Sequence, residues 1–157
     1  MSDAARIVAL LRERGETVAT CESLTAGLVA AEFATVPGAS EVFRGGLVTY
    51  AVDLKTKLAH VDPAWLALRG AFNAETAAQM ARGAVLECAT SWGVATTGVA
   101  GPGPSDGVAA GSVWVGVAGG GAVATQELRL SGCRDEIRRA SVEHALLFLW
   151  WKLAGRE

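Results

Sequence analysis

The order in which helical and strand-like segments follow one another is the sequence feature that most constrains the fold. Helical patterns and short apolar, β-branched runs alternate up to residue 97. The last two strand-like runs are separated only by Gly119-Gly120-Gly121, which is typical of a hairpin turn. We therefore expect a single-domain, three-layer α/β/α fold with a mixed sheet, spanning residues 1–157. The predicted strands are residues 17–21, 46–50, 92–97, 112–118 and 123–130.

Capping residues and helix breakers mark the predicted helices. We expect Asp3 to cap a first helix that stops at Gly15, and Thr25 to open a second one. Asp62-Pro63 and Asn73 are further predicted helix starts. The predicted helices cover residues 3–14, 26–34, 74–88 and 135–153, with a helical stretch through 53–57 and a short helix from 63.

The composition indicates a globular domain and excludes several classes of partner. Of the 157 residues, 51% are hydrophobic and 19% are charged, a balance that can form a core without disulfides. The net charge of −2 would attract neither nucleic acid nor an anionic membrane, and the chain lacks a nucleic-acid motif. The longest apolar run, 145–151, is too short to span a bilayer, and the first residues lack a signal pattern. We therefore expect a cytoplasmic protein without a membrane segment.

The three cysteines suggest neither a disulfide framework nor a metal site. Cys21, Cys88 and Cys133 are widely spaced and form no CxxC pair. We therefore expect no bound metal, and we expect each cysteine to be a small buried hydrophobe.

The last predicted helix is apolar on nearly every side over residues 145–151. One helix of a small domain cannot bury all of its sides internally, so we expect a homo-oligomer, dimer or higher, with this C-terminal helix at the interface. The alternative is a central core helix within one chain.

Ser23 lies at a predicted strand-to-helix turn. Such turns in α/β proteins lie at the carboxyl edge of the sheet, where ligands bind. The first N–H groups of the following helix lack helical partners and can hold an oxyanion or a phosphate. The small residues Ala26 and Gly27 would let a substrate approach the backbone. The alternative is that Ser23 or Thr25 only caps the helix.

A serine becomes a useful nucleophile only when a base takes its proton. His60 and His144 are the only histidines, and neither fits a triad pattern. A lysine can act instead if burial lowers its pKa. Lys55 follows the predicted strand that ends at Tyr50, so it can reach the same sheet edge as Ser23. The alternative is a solvated helix lysine.

A second candidate site is the glycine- and proline-rich loop Gly98–Gly107. Glycines expose backbone N–H groups and allow an anion to approach closely, but the loop fits neither a Walker nor a dinucleotide motif. Arg134, Arg138 and Arg139 open the last helix, where the helix dipole disfavours cations, and this suggests a nearby anion. Solvated surface arginines are the alternative.

Taken together, these segments resemble the carboxy-terminal domain of the CinA, or competence/damage-inducible, family. The resemblance covers almost the whole chain, in order and with compatible spacing. The matching segments are Thr20 to Gly27, Val36 to Ser40, Gly46 to Tyr50 with Lys55, Gly70-Ala71 before Glu75, Thr97 to Pro102, and Gly132 to Arg139.

The resemblance implies an amidohydrolase that needs neither a metal nor a cofactor. Members of this family hydrolyse the carboxamide of nicotinamide mononucleotide to nicotinate mononucleotide and ammonia, so the implied partner is a small nucleotide substrate. Ser23 would be the nucleophile and Lys55 its general base, with Tyr50 in a positioning role and Arg134 on the phosphate or in an orienting role. The residues expected to bind substrate are Thr25, Gly27, Tyr50, Thr97, Gly98, Gly101 and Arg134.

Several positions depart from the family pattern. A Cβ at Ala26 is expected to narrow the space beside the nucleophile, and Ala109-Ala110 replaces a Lys-Pro pair that would supply a cation. Two rival functions therefore stay open: a nucleotide-binding module without turnover, and a hydrolase of another small amide. The remaining departures are Leu24, Phe72 and Asn73.

Overall fold

The computed structural model describes residues 1–156, which form a mixed five-stranded sheet flanked by helices on both faces. The strands are β1 Val18–Glu22, β2 Phe43–Val48, β3 Trp92–Gly98, β4 Ser112–Gly119 and β5 Ala122–Arg129. The strand order is β2-β1-β3-β4-β5. Strands β2, β1 and β3 are parallel, whereas β4 and β5 form the predicted antiparallel hairpin. The mixed sheet is confirmed.

Six α-helices accompany the sheet in the described residues: α1 Asp3–Arg14, α2 Leu28–Ala34, α3 Val52–Ala59, α4 Pro63–Arg69, α5 Ala74–Cys88 and α6 Arg134–Leu153. Ser2, not Asp3, caps α1, because the Ser2 hydroxyl accepts from the Ala5 amide. The second helix begins at Leu28 instead of Ala26, since Ala26 and Gly27 both have positive φ angles. Helices α3 and α6 each begin one residue earlier than predicted.

Two hydrophobic cores, one on each face of the sheet, make up the three layers. One core joins α1, α2 and α6 to the valines of the sheet, among them Val18 and Val94. The other core joins α3, α4 and α5 to small side chains such as Ala19 and Ala95. Alternate residues of one strand serve opposite cores, as strand geometry requires. The predicted three-layer arrangement is therefore present.

Small residues let α5 lie very close to the sheet and to α3. A side chain at Gly116 would overlap the backbone carbonyl of Ala77 in α5. A side chain at Gly83 would overlap the carbonyl of Ala59, the last residue of α3. These glycines set the distance at which α3, the helix that carries Lys55, packs against the rest of the domain.

The apolar run of α6 is accommodated mainly within the single chain. Ala145, Leu146, Phe148 and Leu149 are buried, whereas His144 on the same helix is exposed. This burial favours the core-helix alternative for most of the run. Self-association through α6 stays a prediction. Among residues 1–156, no helix combines the length and the apolar character needed to cross a bilayer.

The cysteines differ in burial. Cys21 is buried as expected and Cys88 is half-buried, but Cys133 is exposed at the N-cap of α6. The expectation of a buried hydrophobe is therefore wrong for Cys133, because the start of α6 lies at the surface.

Gly83→Ala should destabilise the protein by about 1–3 kcal/mol, because the new Cβ forces α3 and α5 apart in a closely packed region. Chemical denaturation measures the change. The matched control is Arg82→Ala, an exposed neighbour on α5, which should change the free energy of unfolding by less than about 0.5 kcal/mol. Equal stability of the two variants would contradict the close helix packing.

Candidate active site

Ser23 directly follows the last residue of β1, at the carboxyl edge of the three parallel strands. Its amide donates to the carbonyl of Thr96 in β3, at 3.0 Å. The carbonyl of Glu22 accepts from the Thr49 amide, which follows β2, at 2.9 Å. The peptide before the serine is thus held by both neighbouring strands, and Ser23 is only 5% exposed.

Lys55 reaches the same edge from α3 and meets the serine. Its Nζ donates to Ser23 Oγ at 3.2 Å and to the carbonyl of Thr49 at 2.7 Å. The lysine is 1% exposed, and among the residues that the structure describes no carboxylate lies within salt-bridge distance of Nζ. Burial lowers the pKa of Lys55 to about 8, because desolvation disfavours the ammonium form. A substantial neutral fraction near neutral pH makes this amine a competent proton acceptor for the serine.

Cys21 is an ionisable side chain close to Lys55, and its thiol is unreactive. Its Sγ lies 3.5 Å from Thr49 Oγ, and burial raises the pKa of the thiol to about 12. A thiol with so high a pKa stays protonated and is a poor nucleophile.

A cavity of about 370 Å³ opens onto Ser23 and Lys55. Its size lies within the range of small-molecule sites. The glycine- and proline-rich loop forms one wall over residues 98–106, and Phe72 also lines the cavity. Six of the nine predicted site residues line it: Ser23, Tyr50, Lys55, Gly98, Gly101 and Arg134.

The other three predicted site residues lie outside the cavity lining and have structural partners. The Thr25 hydroxyl donates to the Glu22 carboxylate at 2.6 Å, and the Thr97 hydroxyl donates to the carbonyl of Ala71 at 2.7 Å. Gly27 is the N-cap of α2, with a φ of 99° that favours glycine. The hydroxyls of Thr25 and Thr97, which were predicted to bind the substrate, instead hold the loops around the cavity.

Arg134 links three segments at the mouth of the cavity. Its guanidinium donates to the Tyr50 hydroxyl at 2.8 Å and to the carbonyl of Gly101. In residues 1–156 no carboxylate pairs with it, so its positive charge is available to an anionic ligand. Asp106 also lines the cavity and gives it one carboxylate.

Glu22 is a site residue that the sequence reasoning missed. This carboxylate is 1% exposed and accepts from the hydroxyls of Thr20 and Thr25 and from the amides of Val29 and Ala30. The prediction that the first amides of the following helix are free to hold an anion is therefore wrong, because Glu22 occupies them. The signal was a carboxylate at the end of a strand that carries no other charged residue.

The turn itself, not the helix, offers free backbone donors. The Ser23 carbonyl accepts from the Ala26 amide at 3.0 Å, and the Thr25 carbonyl accepts from the Leu28 amide at 3.0 Å. Within the described chain, the amides of Leu24 and Thr25 have no hydrogen-bond acceptor. Leu24 lines the cavity, whereas Thr25, the next residue, is fully buried. Successive free N–H groups form an anion-binding concavity, and after a nucleophile they can serve as an oxyanion hole.

The positions that depart from the family pattern have different surroundings. Leu24 and Phe72 line the cavity, and Asn73 caps α5 by accepting from the Thr76 amide. Ala26 is exposed and outside the lining, so the expectation that its Cβ narrows the space beside the serine is wrong. Its φ of 48° lies in the left-handed region. Ala109 is exposed and Ala110 half-buried, and both lie outside the lining.

Residues 2–153 match the family model described as the CinA C-terminal domain. A CinA-like protein of Frankia casuarinae is 42% identical over 149 residues, which is 95% of this chain and 34% of that protein. A putative competence-damage inducible protein of Caldanaerobacter subterraneus is 41% identical over 152 residues, 96% of this chain and 37% of that protein. The chain thus spans about a third of the length of these curated relatives.

Solved structures show the same similarity. The competence/damage inducible protein CihA from Agrobacterium tumefaciens superposes with a TM-score of 0.91 at 37% identity, covering 97% of this chain and 93% of that one. A CinA superfamily protein from Klebsiella pneumoniae gives a TM-score of 0.93 at 28% identity, covering 98% of this chain and 96% of that one. Both comparisons support the α/β architecture described above.

Glu22→Ala should lower the free energy of unfolding by about 3 kcal/mol or more, because it leaves four donors around α2 without their buried acceptor. The control is Glu32→Ala, which removes an exposed carboxylate of α2 itself, with an expected change below about 0.5 kcal/mol. Urea denaturation compares the two variants. Coincident unfolding curves would show that Glu22 does not hold the turn.

Proposed function

Because the chain belongs to the CinA C-terminal domain family, we propose that it is an amidohydrolase converting nicotinamide mononucleotide to nicotinate mononucleotide and ammonia. The observation that carries this proposal is the contact between the buried Lys55 amine and Ser23 Oγ at 3.2 Å. A serine beside a neutral lysine, at the edge of a ligand-sized cavity, has the chemistry of acyl transfer.

The proposed reaction begins with proton transfer. Neutral Lys55 takes the hydroxyl proton of Ser23 as Oγ attacks the carboxamide carbon. The amides of Leu24 and Thr25 donate to the oxyanion of the tetrahedral intermediate. Lys55 then gives the proton to the leaving nitrogen, ammonia departs, and an ester remains on Ser23.

Hydrolysis of that ester completes the cycle. Water takes the place vacated by ammonia, and Lys55 accepts a proton from it as its oxygen attacks the ester carbonyl. The second tetrahedral intermediate uses the same backbone donors. Its collapse returns the proton to Ser23 Oγ and releases the carboxylic acid, which leaves the enzyme in its starting state.

Two charges in the cavity suit the proposed substrate. Nicotinamide mononucleotide carries an anionic phosphate and a cationic pyridine ring. Arg134, held by Tyr50 and Gly101, would bind the phosphate or orient the nucleotide. Asp106 would favour the cationic ring by charge, and the rings of Tyr50 and Phe72 provide flat surfaces beside it.

Ser23→Ala and Lys55→Ala should each reduce turnover by several orders of magnitude, because each removes one half of the acyl-transfer pair. Ammonia release from nicotinamide mononucleotide measures the effect. Lys57→Ala is the matched control: it lies on the same helix, but its amine is exposed and pairs with Asp53. This control should keep turnover within about twofold.

Other outcomes of that assay separate the rival functions. Full activity of Ser23→Ala would exclude covalent catalysis by this serine. Binding of the nucleotide without ammonia release would identify a nucleotide-binding module. Ammonia release from other amides in a panel, but not from nicotinamide mononucleotide, would identify a hydrolase of a different substrate.

The turnover number should rise with pH and level off above about pH 8. Below the pKa of Lys55 the ammonium cannot accept the serine proton, so the rate should fall about tenfold per pH unit. Steady-state kinetics from pH 6 to 9.5 give this profile, and Lys57→Ala should show the same one. A rate that is flat or falls between pH 6.5 and 8 would rule out neutral Lys55 as the base.

A further inference from the structure

Arg138 in α6 contacts the backbone of the turn that follows the serine, although it is distant in sequence and outside the cavity lining. Its Nε donates to the carbonyl of Leu24 at 2.8 Å, and its Nη2 lies 3.5 Å from the carbonyl of Thr25. The side chain is half-buried, and in the described chain it has no carboxylate within salt-bridge distance. The guanidinium therefore acts on the turn alone.

We propose that Arg138 is a positioning residue that holds the Leu24–Thr25 peptide in the orientation needed for oxyanion stabilisation. This inference rests on the proposed function of Ser23. A trans peptide is planar, and its C=O and N–H point in opposite directions. An arginine that fixes the direction of the Leu24 carbonyl thereby fixes the direction of the Thr25 N–H, one of the two free donors.

Hydrogen bonds inside the turn already fix the peptides on either side of the Leu24–Thr25 peptide. The Leu24–Thr25 peptide is therefore the one for which a contact from another element is important. The Ser23 carbonyl is held by the Ala26 amide, and the Thr25 carbonyl by the Leu28 amide. For the Leu24 carbonyl, the described residues supply Arg138 as donor and no backbone amide. Without the guanidinium, this peptide could rotate and turn its N–H away.

The charge of Arg138 adds to this effect. A cation on the carbonyl oxygen polarises the peptide and makes the N–H of the same unit a stronger donor. The guanidinium is suited to the task because its planar, rigid set of donors can reach two neighbouring carbonyls, which a lysine ammonium on a flexible stem does less well.

The two other arginines at the start of α6 make different contacts from those of Arg138. Arg134 contacts Tyr50 and Gly101 at the cavity mouth, where it can touch a ligand. Arg139 points away from the site and pairs with Asp135 on the surface, with 73% of its side chain exposed. Arg139 is therefore a control that matches Arg138 in residue type and helix.

The test measures how fast Ser23 reacts with a small alkyl fluorophosphonate, a probe that does not depend on the natural substrate. Attack of Ser23 Oγ forms a P–O bond, fluoride leaves with the bonding electrons, and Lys55 takes the serine proton. The phosphoryl oxygen gains negative charge and needs the same backbone donors. Peptide mass spectrometry locates the label on Ser23 in the wild type, Arg138→Ala and Arg139→Ala.

We expect Arg138→Ala to react about 10- to 100-fold more slowly than the wild type, and Arg139→Ala to react within about twofold of it. For ammonia release, the loss should appear in kcat with little change in KM, and the pH profile set by Lys55 should keep its midpoint. Added guanidinium at millimolar concentration should restore part of the rate of Arg138→Ala and leave the rate of Arg139→Ala unchanged.

Arg138→Lys provides a second variant should Arg138→Ala fail to fold, and it should react more slowly than the wild type. Wild-type labelling rates in both Arg138→Lys and Arg138→Ala would overturn the inference and leave the proposed function intact. Absence of label from wild-type Ser23 would instead overturn the nucleophilic serine, and with it the role of Arg138. If the wild type releases no ammonia from nicotinamide mononucleotide but the labelling rates of the wild type and the variants differ as expected, only the proposed substrate would be rejected.

Discussion

The arrangement depends on one buried amine without a counter-ion. Lys55 is nearly inaccessible to solvent, and its polar neighbours are the hydroxyl of Ser23 and the carbonyl of Thr49. A carboxylate partner would hold the lysine in its charged form, but burial among neutral groups lowers its pKa towards neutrality. The fold therefore makes a lysine suited to accept a proton out of a residue type that is usually a surface cation, and it places the lysine Nζ 3.2 Å from the hydroxyl of Ser23.

The surrounding structure keeps that contact in place from several directions. Strands β2 and β3 hold the peptide before Ser23, and the carboxylate of Glu22 joins the end of β1 to the start of α2. Helix α3 brings Lys55 close because Gly83 of α5 has no side chain where the two helices meet. Helix α6 contributes Arg134 at the mouth and Arg138 behind the turn.

Much of the fold and the central pair could be predicted from sequence, because strand and hairpin patterns are local and the family motifs are specific. The contacts of Glu22 and Arg138 could not be predicted from sequence. They depend on which backbone groups lack a hydrogen-bond partner once the chain has folded. Arg138 meets Leu24 across 114 positions. The prediction that Thr25 and Thr97 bind the substrate was wrong for the same reason. A threonine in a motif can donate a hydrogen bond to a ligand or to a buried group of the protein, and here the two hydroxyls donate to the Glu22 carboxylate and the Ala71 carbonyl.

The most direct measurement is a rapid-quench experiment in which the protein is mixed with nicotinamide mononucleotide and the peptide containing Ser23 is weighed by mass spectrometry. A transient nicotinate mononucleotide ester on Ser23, formed as ammonia is released and then lost to water, is the result that the proposed chemistry predicts. An ester on another residue, or ammonia release at the wild-type rate by Ser23→Ala in the same experiment, would contradict the proposed chemistry.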